Sequence, residues 1–280
     1  MPPDANATEA GAARAGGRAD PRCHALLEVR DISLSFGGVR ALEAVSFDVI
    51  EHEVRAIIGP NGAGKSSMLN VINGLYEPQR GQIWLRGRCF DRMRPHEAAR
   101  MGIARTFQSL ALFGGMSVLD NIMAGRNLRM RTGLLAQALR IGPAEREEIA
   151  HRRFAEGVID FLEIQAHRRT AVGQLPYGLQ KRVDLGRALA MEPSILLLDE
   201  PTAGMNLEEK QDMCRFILSA NDEFGTTIVL IEHDMGVVMD ISDRVVVLDH
   251  GRKIGDGTPE QIRSDRGVID AYLGVAHDAA

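Results

Sequence analysis

No stretch of this chain is apolar for long enough to cross a bilayer, which takes about 20 residues. Its most apolar runs, Ile195–Leu198, Ile228–Ile231 and Val245–Leu248, are four residues long. Any attachment to a membrane therefore has to come through a partner. Cysteine is scarce as well: there are three, Cys23, Cys89 and Cys214, scattered and without metal-ligand spacing. That leaves neither a disulfide scaffold nor a zinc motif, and fits reduced thiols in a cytosolic protein. An excess of basic charge is missing too. A formal net charge of -5 argues against a general nucleic-acid binder, whose electrostatic footprint is basic. The first residues, to about Ala25, lack the continuous apolar stretch of a secretory signal. Their Ala, Gly and Arg content is that of a disordered tail.

What is present is an ordinary globular composition, 45% apolar and 25% charged, in a length that suits one large domain or two small ones sharing a core. From Leu26 the pattern turns to short alternating runs. Leu27–Phe36 reads as a strand, with Ala44–Ile50 a second one paired to it. Val54–Ile58 is a compact apolar strand, followed by a glycine-rich turn and a helix over about Gly64 to Leu75. Residues 76–81 carry turn chemistry, and Ile83–Leu85 reads as another strand. Between about Arg94 and Val172 the composition is helical, and Ile149, Phe154, Val158, Phe161 and Leu162 mark one amphipathic helix. Three β-rich runs, at Ile195–Leu198, Thr227–Ile231 and Arg244–Leu248, then alternate with helical stretches. That alternation implies βα units and a mostly parallel, buried sheet. The expected layout is an α/β core with an N-terminal antiparallel β element and a helical insertion, spanning about 26–275, with the insertion at about 94–172.

The strongest chemical signal follows the strand at Val54–Ile58. Gly59, Pro60, Asn61, Gly62, Ala63, Gly64, Lys65 and Ser66 fit G-x-x-x-x-G-K-[ST]. Glycines let successive backbone N–H groups turn inward onto phosphate oxygens. The start of the following helix adds partial positive charge at the same place. Lys65 is expected to reach the β- and γ-phosphates and the Ser66 hydroxyl to ligate Mg²⁺, with Ser67 counted among the cofactor contacts. A phosphate-loop NTPase core is therefore expected. A second signal is the strand Ile195–Leu198 running into Asp199 and Glu200. A parallel strand delivers its C-terminal end to the ligand crevice. Asp199 then suits an outer-shell role at Mg²⁺, and Glu200 can polarise the attacking water.

Taken together these residues resemble the ATP-binding cassette family, over nearly the whole chain from about Leu26 to Leu273. Gln108, within Arg105-Thr-Phe-Gln, matches that family's Q-loop glutamine, which contacts Mg²⁺ and the attacking water and senses the membrane partner. Leu175-Pro-Tyr-Gly-Leu-Gln180 resembles the signature that closes over the ATP of a second subunit, so Tyr177, Gly178 and Gln180 are implied nucleotide contacts. Pro176 stands where the family usually has serine, and Tyr177 where it has glycine. Ala203–Asn206 matches the D-loop, His233 the switch histidine, and Phe36 the aromatic that stacks on adenine.

The resemblance implies hydrolysis of ATP by positioning and charge stabilisation, in a composite site shared by two subunits. Ser35–Leu42, Gly102–Gln108, Leu119–Ile122, Gly255–Glu260 and Ala271–Gly274 are also similar to one branch, the ATPases of bacterial high-affinity branched-chain amino-acid importers. Related systems carry urea or short amides. Such subunits work with a second ATPase, two transmembrane permeases and a periplasmic binding protein, so a peripheral place on the cytoplasmic face of the inner membrane is implied. Two rival readings stay open at this point: the ATPase of a lipid or lipopolysaccharide exporter, and a non-transport cassette protein. An unrelated phosphate-loop kinase or GTPase gives no account of Gln108, Leu175–Gln180 and His233 together.

Overall fold

The computed structural model describes residues 25–90, 93–130 and 143–277; the tail expected at 1–25 lies almost wholly outside the described residues. The chain opens with a hairpin. Strands β1 (Ala25–Phe36) and β2 (Val39–Ile50) pair antiparallel around a turn at Gly37 and Gly38. Both glycines sit at positive φ, which a tight hairpin turn demands. Strands β4 (Arg80–Leu85) and β5 (Arg88–Phe90) extend this into a four-stranded sheet of order β2-β1-β4-β5.

The second sheet has six strands in the order β10-β9-β3-β8-β7-β6. They are β3 (Val54–Ile58), β6 (Ile103–Arg105), β7 (Ile195–Asp199), β8 (Thr227–Ile231), β9 (Arg244–Asp249) and β10 (Arg252–Gly257). All neighbouring pairs are parallel except β10 with β9. Strands β3, β7 and β8 are buried at every position, as expected for a parallel sheet covered on both faces. Period-two alternation then divides their side chains between two cores. Val54, Ala56, Ile58, Leu196 and Leu198 face the helices, whereas Ile57, Ile195 and Leu197 face the hairpin sheet together with Met68 and Leu69 of helix α1 (Lys65–Ile72). Arg55, fully buried on β3, breaks this apolar pattern and is paired with Asp256 on β10.

On the helical face lie α3 (Val118–Gly125), α4 (Pro143–Phe161), α5 (Tyr177–Leu189) and α6 (Leu207–Phe224); α2 (Pro95–Arg100) precedes β6. Helix α6 shows why such a segment forms. Met213, Phe216, Ile217 and Ala220 recur on one face and are buried. Asn206 and Glu209 form a capping box at its start, and Gly225 in the left-handed region ends it. At α3 the side chain of Asn121, wholly buried, donates to the carbonyls of Phe113, Met116 and Ser117 and accepts from the Phe113 N–H. One amide thus fixes the loop entering the helix. Helices α7 (Met235–Ile241), α8 (Pro259–Ser264) and α9 (Arg266–His277) complete the chain. No helix among the described residues is long and apolar enough to cross a membrane.

The structure corrects four details. Strand β2 starts at Val39 rather than Ala44, because the Gly37–Gly38 turn zips the hairpin from its tip. The stretch expected to be helical from about 94 to 172 contains β6, paired in parallel with β7. A three-residue strand has no readable period; burial of Ile103, worth about 2 kcal/mol, decides it. Strand β5 is missed for the same reason of length. Ile149, expected on the buried face of its helix, is 44% exposed, while Ala155, Val158 and Ile159 do the packing.

Cys214, on α6, gives a chemical check on this packing. Burial, reinforced by the nearby carboxylates of Glu232, Asp240 and Asp234, pushes its thiol up to about 11. At pH 8 its thiolate population is then about a hundredfold below that of an ordinary thiol. Aromatic disulfide reagents are expected to modify Cys214 about a hundredfold more slowly in the native protein than after denaturant is added; labelling mapped to Cys214 itself at the rate of a free peptide thiol in the native protein contradicts the described packing.

Candidate active site

The site is assembled at the C-terminal ends of the parallel strands. Strand β3 stops at Ile58 and the chain turns through Gly59 to Gly64 into α1. A Cβ on Gly59 would lie 2.0 Å from the carbonyl oxygen of Leu248, and one on Gly64 would lie 2.4 Å from that of Ala41. Both residues have positive φ, so each is glycine for conformation and for space. Helix α1 starts with no side-chain cap and no acidic residue in its first turn. Its first N–H groups therefore present uncompensated positive charge, which favours an anion there. Lys65 is buried, and its Nζ donates to the carbonyls of Gly59 at 2.7 Å and Pro60 at 2.9 Å. Burial draws its pKa below the usual lysine value, partly opposed by Glu200 and Asp199. Ser66 is exposed and Ser67 half-buried at the same end of the helix. Gly59, Pro60, Asn61 and Ala63 line a cleft of about 340 Å³ together with His233, Asp249 and His250.

Strand β7 brings Asp199 and Glu200 alongside. Asp199 is buried; its Oδ2 accepts from Arg105 Nη2 at 2.8 Å, while its Oδ1 has no partner among the described residues. Glu200 has left the strand at φ 51°, its N–H held by the carbonyl of Ile231 at 2.9 Å. A non-glycine residue in this region costs of order 1–3 kcal/mol. The surrounding bonds fix it there. Glu200 Oε2 accepts from Gln108 Nε2 at 2.9 Å, Glu200 Oε1 lies 2.5 Å from His233 Nε2, and Lys181 Nζ donates to the Glu200 carbonyl at 3.2 Å. Gln108 and His233 are 92 and 33 residues from Glu200 in sequence, yet both converge on its carboxylate.

Other expected site residues lie apart from this cluster. Phe36, at the end of β1, is 46% exposed and packs edge-on against Tyr76 with ring centroids 5.0 Å apart. Tyr177, Gly178 and Gln180 lie in the first turn of α5, where Pro176 is the N-cap; among the described residues none of them hydrogen-bonds to 59–67. Gln180 turns inward, its Nε2 donating to the Leu175 carbonyl at 2.8 Å. A Cβ on Gly178 would lie 2.3 Å from Glu209 Oε1, the end of a flexible side chain that would have to shift to admit it.

Sequence reasoning passed over Arg105, Lys181, Thr202 and Glu232. Arg105, on β6, joins Asp199 to Asn70 of α1, which accepts from its Nη1 at 2.5 Å, and its guanidinium lies 5.0 Å from the Phe107 ring. An arginine closing a short apolar run is an ordinary strand end, and its partner Asp199 lies 94 residues away in sequence, so no local signal marked it.

Residues 42–203 match the ABC transporter family. The chain belongs to that family. It is an ATP-hydrolysing transporter subunit of the ATP-binding cassette class. Residues 252–278 match a further family described as branched-chain amino acid ATP-binding cassette transporter. The cassette is 38% identical over 251 residues to the high-affinity branched-chain amino acid transport ATP-binding protein LivG of Salmonella typhimurium, covering 90% of this chain and 98% of that one. BraF of Pseudomonas aeruginosa, with the same description, matches to the same extent. Among solved structures, an ATP-binding cassette of an ABC transporter in its ADP conformation superposes with a TM-score of 0.78 at 30% identity, covering 90% of this chain and 99% of that one. A nucleotide-free cassette gives 0.77 at 30% identity, covering 89% and 99%.

The Arg105–Asp199 pair is open to direct test. Both side chains are nearly inaccessible, and removing one partner of a buried pair costs about 3–5 kcal/mol because the other charge is left uncompensated. Arg105→Met is expected to lower the unfolding free energy in urea by that amount, and adding Asp199→Asn to recover a large part of it. Arg105→Met unfolding within about 1 kcal/mol of the parent excludes a buried ion pair.

Proposed function

We propose that this cassette powers an importer of branched-chain amino acids or related small amides or urea. The cargo reading rests on the similarity to LivG and BraF over 98% of their length and on the C-terminal match at 252–278. In this reading residues 26–275 form the nucleotide-binding domain, and the helices within about 94–172 form a subdomain facing the membrane partner. The partners are transmembrane permeases, a second ATPase subunit and, through the permeases, a periplasmic binding protein. The cassette sits peripherally on the cytoplasmic face of the inner membrane.

The observation that carries the mechanism is the convergence of Gln108 and His233 on Glu200 beside the phosphate loop. ATP lies with its β- and γ-phosphates over the N–H groups of 59–67 and against Lys65, which exchanges its carbonyl partners for phosphate oxygens. Phe36 stacks on the adenine. Mg²⁺ fits the donor set, since Asp199 Oδ1 is a buried acceptor with no partner among the described residues and Ser66 and Gln108 would add oxygen donors; when bound, it would neutralise charge on the phosphates. Glu200 takes a proton from water as the water oxygen bonds to the γ-phosphorus and the β–γ bridging bond breaks. Gln108 and His233 hold the Glu200 carboxylate for that step, and His233 also reaches the γ-phosphate. Tyr177, Gly178 and Gln180 of a second subunit close the site from the other side.

Lys65→Ala is expected to abolish nucleotide binding and turnover together. Glu200→Gln keeps the shape of the site but not the base, so it is expected to bind ATP as the parent does while kcat falls by at least ~10². Robust steady-state hydrolysis by Glu200→Gln removes the assigned base. For the cargo, the native complex purified with its subunits is expected to contain two permeases, a second ATPase and a binding protein that retains a branched-chain amino acid or small amide. Recovery with lipid-handling permeases and no binding protein overturns the import reading.

A further inference from the structure

Glu232 is buried, follows the last residue of β8 directly and precedes His233. Its two carboxylate oxygens are used separately. Oε1 accepts from both the backbone N–H of Thr202 at 2.9 Å and the Thr202 hydroxyl at 2.7 Å. Oε2 accepts from the backbone N–H of His233 at 3.1 Å. Thr202, itself buried, is two residues beyond Glu200. One side chain thus ties the segment leaving the base to the backbone of the histidine that touches the base.

A second link runs in parallel. Asp234, on the other side of His233, caps α7 through the N–H groups of Gly236 and Val237. It also pairs with Lys210 of α6 at 2.7 Å. His233 is therefore flanked by two anchored carboxylates, and both anchors lie on the chain that continues from Glu200 through residues 203–206 into α6. The histidine side chain is 43% exposed, so packing does not hold it. What fixes the ring against Glu200 is the position of its own backbone.

We propose that Glu232 is a positioning residue for hydrolysis: it sets the reach of His233 to Glu200 by fastening the His233 backbone to Thr202. The proposal rests on the reading of His233 and Glu200 given above. Glu232→Gln separates its two functions. A glutamine Oε1 still accepts from Thr202, but its amide turns a donor toward the His233 N–H, and two facing donors repel. The Thr202 anchor and the packing volume survive while the link to His233 is cut.

The test is a double-mutant cycle on the full chain in its native complex, comparing Glu232→Gln, His233→Ala and the pair, with ATP binding followed by a fluorescent nucleotide analogue. Glu232→Gln is expected to lower kcat about tenfold with KM for ATP and the melting temperature little changed, and to have no further effect once His233 is alanine. Thr202→Val is expected to lower kcat in the same direction, and Thr202→Ser to restore it. Equal losses from Glu232→Gln in both backgrounds show that it acts other than through His233 and overturn the proposal alone. Parental kcat in Glu232→Gln overturns it as well. Parental turnover in His233→Ala refutes the assignment of the histidine itself, and the proposal with it.

Discussion

Everything chemical in this protein depends on the parallel register of its central strands. Ile57 of β3 and Asp199 of β7 both pair with Ile231 of β8, and Arg105 of β6 pairs with Leu197. The four strands therefore end at nearly one level. The residues that follow them, Gly59, Glu200, Glu232 and Thr106, leave the sheet along one edge. A shift of one residue in any strand would turn its side chains to the opposite face and separate groups that now touch. Because β3, β7 and β8 are buried on both faces, such a shift would force each side chain into a core shaped for another, and mispacking of that kind typically costs about 1–3 kcal/mol per site.

Much of this was legible from residues alone. The phosphate loop, the acidic pair and the buried strands before them are local patterns. Each is a short apolar run followed by residues of special chemistry, and position in the chain does the rest. Gln108 and His233 are different in kind. Nothing local marks a lone glutamine or histidine, and it was the family resemblance that singled them out before the fold brought both onto the Glu200 carboxylate. Arg105, Lys181, Thr202 and Glu232 carried no local pattern at all. Their meaning lies in contacts across the sheet, between residues as far apart as the 94 positions that separate Arg105 from Asp199, and no periodicity encodes a contact of that range. The short strands β5 and β6 escaped for a related reason: three residues sample a period of two only once.

Charge is used here in two ways that should be kept apart. On the surface, pairs such as Arg215 with Glu163 are about half exposed and contribute at most about 1 kcal/mol. Inside, Arg105 with Asp199 and Arg55 with Asp256 hold ions that burial would otherwise penalise heavily. The Arg105–Asp199 pair sits next to the phosphate loop, so the packing of the sheet and the lining of the site draw on the same guanidinium.

The two rims of the six-stranded sheet have a consequence for assembly. One rim is β6, only three residues long; the other is β10, which carries Arg252, Lys253 and Asp256 along with two glycines. Short or charged rims of this kind are poor templates for adding a strand from another molecule. A second molecule is therefore not expected to join by continuing the sheet. The loops at the strand ends, which hold Gly59, Glu200 and His233, lie away from both rims and leave the site untouched by this guard against strand addition.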